Sequence, residues 1–265
     1  MKKKLNVTAL ALVLAASLTA CGAPAENNTA TENAQNNTAA ADTANNANAN
    51  ANAEANDADA GEVVEMKGAD LDKMMEDKDA KEKILVIDVR PEEEYDEGHV
   101  KFAINMPIDT FEDNLDKIED LKDFDIATIC NTGKKSAEAA DILVKNGFKK
   151  VANAEGVKSY DYTTMTKVTN VRGPEFLELA KSGDYTVIDA RDAEDFDKGH
   201  LDGAINVLLE EFDEKYGELP TDKPFLVHCY SGNRSWEIAS KLVEKGHDAT
   251  NSLDGTKEYD GFNLD

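Results

Sequence analysis

One block of this 265-residue sequence is written twice. Ile87-Asp88-Val89-Arg90, Gly98-His99-Val100 and Ala103-Ile104-Asn105 return as Ile188-Asp189-Ala190-Arg191, Gly199-His200-Leu201 and Ala204-Ile205-Asn206, 101 residues further on. Cys130 returns as Cys229 only 99 residues on, so two residues are lost between the motifs. A period this long that occurs only twice signals duplicated domains and not a solenoid. Each copy, at about 100 residues, is large enough to fold alone.

Within each copy short apolar runs alternate with helical patterns, which predicts an α/β fold of parallel strands joined by crossover helices. In the first copy the pattern predicts a buried strand over Ile84 to Ile87, a short helix from Pro91 to Glu97, and a second strand over Ile126 to Ile129. A helix from Ser136 to Asn146 follows, with Ala137, Ala140, Leu143 and Val144 on one face and Gly147 as its stop. The second copy repeats the plan with Thr186 to Ile188, Ala193 to Lys198, Phe225 to His228, and Ser235 to Lys245 stopped by Gly246. The domains are expected to span residues 62–163 and 164–265, meeting near Asp161 to Lys167, where apolar periodicity is lacking.

Residues 1–20 read as a bacterial signal peptide, with Lys2, Lys3 and Lys4 ahead of the apolar stretch Val7 to Leu18. That stretch is 12 residues long, and a spanning helix needs about 20. Leu18-Thr19-Ala20-Cys21-Gly22 resembles a lipobox, which makes Cys21 the expected lipidation site and new N-terminus. Two or more acyl chains anchor a protein stably where one is marginal. The alternative is an ordinary exported protein in which Cys21 merely follows small residues. Residues 21–61 form an Ala/Asn-rich linker that has nothing to build a core with, and it is expected to be disordered. As a flexible coil it spans roughly 35 Å. The expected location is therefore extracytoplasmic, tethered to the cell membrane. A formal charge of −25 excludes a sequence-independent nucleic-acid binder.

Cys130 and Cys229 each close a predicted parallel strand and open a Gly-containing loop that runs into a helix, at the sheet edge where α/β folds bind ligands. The loops read Cys130-Asn131-Thr132-Gly133-Lys134-Lys135-Ser136 and Cys229-Tyr230-Ser231-Gly232-Asn233-Arg234-Ser235. A loop that curls around its own cysteine aims successive N–H groups at the sulfur, and the helix start adds positive dipole. Such surroundings lower a thiol pKa and yield a nucleophile that needs no neighbouring base.

The upstream motif appears as Asp88, Arg90, Glu94, Tyr95, Gly98 and His99, and again as Asp189, Arg191, Asp195, Phe196, Gly199 and His200. With the loop CYSGNRS, it resembles the rhodanese domain, and the body from about Glu62 to Asp265 resembles a tandem rhodanese. The resemblance implies a mostly parallel five-stranded sheet in each domain. It also implies sulfurtransferase chemistry through a cysteine persulfide. The donor would be thiosulfate or another sulfane sulfur compound, and the acceptor a thiol or cyanide. No His/Cys spacing suggests a metal site, and no cofactor is expected. Tandem members commonly keep one functional cysteine, whereas this chain has two candidates. Arg234 is the residue suited to hold an anionic donor; Lys135 at the equivalent position and Lys134 beside it offer only point charges. Cys229 therefore ranks ahead of Cys130.

Other readings stay open at this stage. Either cysteine could be inert and buried, or the two could pair as a disulfide. His228-Cys229 followed by Arg234 imitates the His-Cys-x5-Arg signature of cysteine phosphatases and arsenate reductases, but only four residues separate Cys229 from Arg234. The family's phosphatase relatives use a loop one residue longer, and the shorter ring better suits one sulfur. A non-enzymatic sulfur carrier would share the same loop. His228 is expected to point away from the pocket, His99 and His200 to brace the loop, and Trp236 to pack in the core.

Overall fold

The computed structural model describes residues 61–262 and Leu264. The predicted signal peptide, Cys21 and nearly all of the Ala/Asn-rich linker lie outside the described residues. The first copy runs β1 (Glu62–Met66), α1 (Gly68–Glu76), α2 (Lys78–Lys81), β2 (Ile84–Asp88), α3 (Glu92–Glu97), β3 (His99–Val100), β4 (Ile104–Asn105), β5 (Asp125–Ile129), α4 (Lys134–Lys145) and β6 (Lys150–Ala154). The second runs β7 (Met165–Thr166), β8 (Thr169–Val171), α5 (Gly173–Ser182), β9 (Thr186–Asp189), α6 (Ala193–Lys198), β10 (Ile205–Asn206), α7 (Phe212–Lys215), β11 (Phe225–His228), α8 (Asn233–Glu244) and β12 (Ala249–Ser252).

Each copy holds one five-stranded parallel sheet, in the orders β1-β6-β5-β2-β4 and β10-β9-β11-β12-β8. The continuous apolar runs require this arrangement, because strands covered on both faces have no polar side to offer. Every residue of β2, β9 and β11 is buried. Alternate residues serve opposite faces: Ile188 and Val227 join one apolar cluster of the second copy, Val187 and Leu226 the other. α4 packs across β5, β6 and β1, and α8 across β11 and β12.

Both long helices begin two residues earlier than the apolar pattern predicts. Gly133 and Gly232, at φ 85° and 75°, take the left-handed conformation at the N-cap, so the helices start directly behind them. Lys134, Lys135, Asn233 and Arg234 therefore lie on a first helical turn and not in a loop. The buried face of α4 is Ser136, Ala139, Ala140 and Leu143. Ala137 and Val144, expected on that face, are half-buried because polar Ser136 turns inward toward Cys130.

The segment Asp161 to Lys167 lacks apolar periodicity yet is fastened in place. Asp72, on α1, accepts from the amide and hydroxyl of Thr163 at 3.0 and 2.6 Å and from those of Thr164 at 3.0 and 2.5 Å. β7 then pairs antiparallel with β3, setting His99 opposite Thr166. The copies also meet through His99 Nε2 and Val168 O, 2.9 Å apart, and through Asn170 N, which donates to Tyr95 Oη at 3.2 Å. Arg172 adds a fork onto Asp120 at 2.7 and 2.9 Å. Trp236 sits half-buried against the clusters of both copies, its ring beneath Lys101 Nζ at 3.8 Å. The expected core role of Trp236 is thus played at the junction of the copies.

His228 ends β11 with its ring fully buried between Phe262 and Phe176, 5.1 and 5.5 Å away by centroid, and points away from Cys229's loop as strand alternation demands. Burial drives its pKa down to about 4, against the pull of Asp189.

Two consequences can be measured. Burial raises the Asp72 pKa, but the four bonds from Thr163 and Thr164 outweigh it and hold the carboxyl below its ordinary range. Its stabilisation is therefore present above the unfolded carboxylate pKa, near 3.9, and is lost as pH falls through the lower folded value. Asp72→Ala should cost about 1–3 kcal/mol in urea unfolding at pH 7, and the deficit should shrink near pH 3. For His228 the unfolded imidazole takes up a proton near pH 6.5 while the folded one resists until about pH 4. Stability should fall by roughly 3 kcal/mol across that window as acid is added. His228→Leu should flatten the slope, and an unchanged slope in that variant would contradict the assignment.

Candidate active site

Both cysteine loops hang from the carboxyl ends of β5 and β11, next to strands β2 and β9, whose own ends carry the upstream motif. There the backbone is braced by a fork. Arg90 Nε contacts both carboxylate oxygens of Asp88 at 3.0 Å, and its Nη2 donates to Asp88 Oδ2 at 2.7 Å and to Gly98 O at 2.8 Å. Arg191 repeats this on Asp189 and Gly199. Asp88 and Asp189 are fully buried, so each charge is sustained by its bidentate partner. Asn105 and Asn206 each donate to two carbonyls of the same turn.

The brace reaches the loops through the carboxylates and not through the histidines. Glu94 accepts from Asn131 Nδ2 at 2.6 Å, and Asp195, which stands where Glu94 does, accepts from Tyr230 Oη. His99 and His200, expected in that network, stack on Tyr95 and Phe196 and contact their carbonyls through Nδ1. The spacing is the reason: a histidine four residues beyond its aromatic partner folds back onto that residue's ring and carbonyl. His99 ties α3 to the second copy, while His200 is exposed.

The loops turn their carbonyls outward. Cys130 O accepts from Val157 N and Asn131 O from Lys158 N, both at 2.9 Å. Cys229 O and Tyr230 O accept from Thr256 N and Lys257 N at 3.0 Å. The donor segments come so close that a Cβ on Gly156 would overlap the backbone of Asn131, and one on Gly255 that of Tyr230. These glycines were not singled out by sequence reasoning. The signal was available: Glu155-Gly156-x-Lys158-x-Tyr160 returns as Asp254-Gly255-x-Lys257-x-Tyr259 at the same 99-residue offset as the cysteines.

With the carbonyls outside, polar hydrogens face the sulfur. At Cys130 the hydroxyl of Ser136 lies 3.3 Å and its amide 3.4 Å from Sγ. Burial pushes the Cys130 thiol up, but the Ser136 hydroxyl and the amides of Ser136, Thr132 and Gly133 outweigh it, and the pKa lies below the ordinary thiol value. At Cys229 the hydroxyl of Ser235 lies 3.3 Å from Sγ. Each serine also reaches an asparagine oxygen, Asn153 Oδ1 at 2.7 Å and Asn251 Oδ1 at 2.6 Å. A hydroxyl has one proton, so it serves the asparagine beside a thiol and can turn to a thiolate. Both cysteines are free and only 2% exposed, which leaves no disulfide between them.

The remaining predicted residues divide between the loop and its rim. Thr132, Lys134 and Lys135 are exposed, while Asn131 and Gly133 are half-buried. Tyr230, Ser231 and Asn233 are half-buried and Gly232 is buried. Asn233 Nδ2 donates to Glu82 of the first copy at 2.8 Å. Arg234 is not standing free: its Nη1 pairs with Asp192 at 2.8 Å.

This arrangement agrees with what the chain is similar to. The model of the rhodanese-like domain matches residues 68–158 and 174–260. A thiosulfate sulfurtransferase of Shewanella oneidensis, GlpE, is 35% identical over 81 residues, which are 31% of this chain and 80% of that protein. A tRNA uridine(34) hydroxylase of Cronobacter sakazakii is 36% identical over 103 residues, covering 37% of this chain and 28% of that one. Among solved structures, the reduced CoADR-RHD of Bacillus anthracis is 27% identical with a TM-score of 0.32, over 47% of this chain and 18% of that one. With two rhodanese-like units, each carrying its own cysteine loop, the chain belongs to the rhodanese family, as a tandem rhodanese sulfurtransferase.

Proposed function

We propose that the protein transfers a sulfane sulfur through a cysteine persulfide, with Cys229 as the leading nucleophile and Cys130 as a second. The observation that carries this reading is a buried sulfur under a loop whose carbonyls are pinned outward and whose polar hydrogens point in. In the proposed cycle the thiolate attacks the outer sulfur of thiosulfate. A new S–S bond forms, the old one breaks, and sulfite leaves with the electron pair. A thiol or cyanide then attacks the terminal sulfur and the cysteine leaves as thiolate again. The Ser235 hydroxyl at Cys229, and the Ser136 hydroxyl and amides at Cys130, would also serve the persulfide anion, which is oxyanion-hole logic applied to sulfur.

Arg234 supports Cys229 as the leading site. Its contact with Asp192 is an exposed ion pair, worth at most about 1 kcal/mol, which an arriving dianion can displace. Lys134 and Lys135 at the first loop lack the planar fork. A local cation is required, because a formal charge of −25 otherwise repels an anionic donor. Lipidation at Cys21 completes the proposal by setting the body outside the cell on a membrane tether.

Incubating the full chain with thiosulfate should add the mass of one sulfur atom to the peptide bearing Cys229. Cys229→Ser should lower thiocyanate formation from cyanide by about two orders of magnitude, and Cys130→Ser by much less. Full activity in Cys229→Ser would reverse the order, and absence of loading at both cysteines would end the sulfur-transfer reading. Loading without turnover would point to a carrier, and p-nitrophenyl phosphate turnover without thiocyanate to a phosphatase. Mass spectrometry of the mature N-terminus should find a diacylated or triacylated Cys21; an unmodified start upstream or downstream of it would refute the tether.

A further inference from the structure

The second cysteine loop contains a buried cation that belongs to the first copy. Lys81 ends the short helix α2, is 4% exposed, and reaches across the junction. Its Nζ donates to Ser231 O at 2.6 Å and to Leu253 O at 3.3 Å. Leu253 follows β12, and its carbonyl is what a Cβ on Gly232 would strike, so the lysine joins the two backbone segments that close around that glycine. Nζ also lies over the ring of Phe102, 5.1 Å from its centroid.

The contact finishes the pattern that makes the loop a sulfur cage. Cys229 O is held by Thr256 N and Tyr230 O by Lys257 N. Ser231 O is the third successive carbonyl, and Lys81 holds it. A lysine ammonium has three donors and no acceptor, which suits a site that must take up carbonyls only. The second copy has no counterpart of α2 among the described residues: α5 ends at Ser182 and leads directly toward β9. Lys81 is therefore invisible to a comparison of the repeats.

We propose that Lys81 is a positioning residue for Cys229, by which the first copy clamps the carbonyl of Ser231 outward and places a buried positive charge beside the sulfur of the second. This rests on the reading of Cys229 as a nucleophile. Several charged groups share the neighbourhood. Glu82 faces Lys81 from its own segment, and Asp254 and Glu258 from the segment after β12; Arg234 faces Cys229 from α8. Burial pulls the Lys81 pKa down, while Glu258, Glu82, Cys229 and Asp254 pull it up. Of Lys81 and Arg234, only Lys81 is buried, and screening weakens it least; Lys257, over the Tyr230 ring, is exposed too.

The test is peptide-resolved alkylation of the full chain by iodoacetamide, with Cys130 as internal control and no sulfur donor present. Lys81→Met should slow Cys229 at pH 7 by about tenfold and leave Cys130 within about twofold. The two proteins should converge at Cys229 near pH 10, where thiols are ionised regardless of neighbours. Lys81→Arg, which keeps the charge, should restore most of the pH 7 rate. An unchanged Cys229 rate in Lys81→Met overturns the inference. So does equal slowing of both cysteines, or a Cys229 deficit that persists at pH 10, since neither is what loss of a charge beside Cys229 alone produces. The readout is separate from sulfur transfer: failure of the wild type to load sulfur sinks the proposed function, while a Lys81-dependent Cys229 would still stand.

Discussion

Everything at the two sites depends on which way a short stretch of backbone faces. A peptide unit carries a donor and an acceptor on opposite sides, so a loop can surround a sulfur with positive hydrogens only if its carbonyls are satisfied elsewhere. Here the answering donors are the amides of Val157, Lys158, Thr256 and Lys257. They stand in segments that glycines allow to run against the loops. The buried Asp–Arg forks at Asp88 and Asp189 hold the neighbouring strand ends steady, and Glu94 and Asp195 connect those forks' helices to the loops.

Duplication has kept this device and let its surroundings diverge. At the first loop the sulfur is served by a hydroxyl and amides from its own copy, with two exposed lysines outside. At the second an arginine replaces one lysine and is paired with Asp192, and a lysine of the other copy enters from behind. The junction is what makes that possible. β3 and β7, the Arg172 fork and Trp236 join the copies through polar and apolar contacts. The second loop consequently borrows from its neighbour what the first lacks.

Much of this was legible beforehand because it follows from local chemistry. Continuous apolar runs such as Ile84 to Ile87 and Phe225 to Val227 have no polar face, so they must become central parallel strands. Gly147 and Gly246 stop helices because they adopt φ 85° and 87°. The inward turn of Ser136 was not legible, since periodicity counts apolar residues and a serine earns no weight until its partner, a sulfur at the strand end, is known. The histidines misled for a similar reason: their place in a motif says that they matter, and only the fold says toward what they point.

The amino-acid order alone determined the duplication, the α/β class and the two cysteine loops, because each rests on residue types at fixed spacing along the chain. Tertiary structure decided the rest: that Arg234 is already paired, that Gly156 and Gly255 let a second segment pin the loop, and that Lys81, 148 residues before Cys229, lies beneath it. The physical reason is that the donors that pin the loop carbonyls are distant in sequence. Their partnership is set by the packing of whole copies and leaves no local periodicity to read.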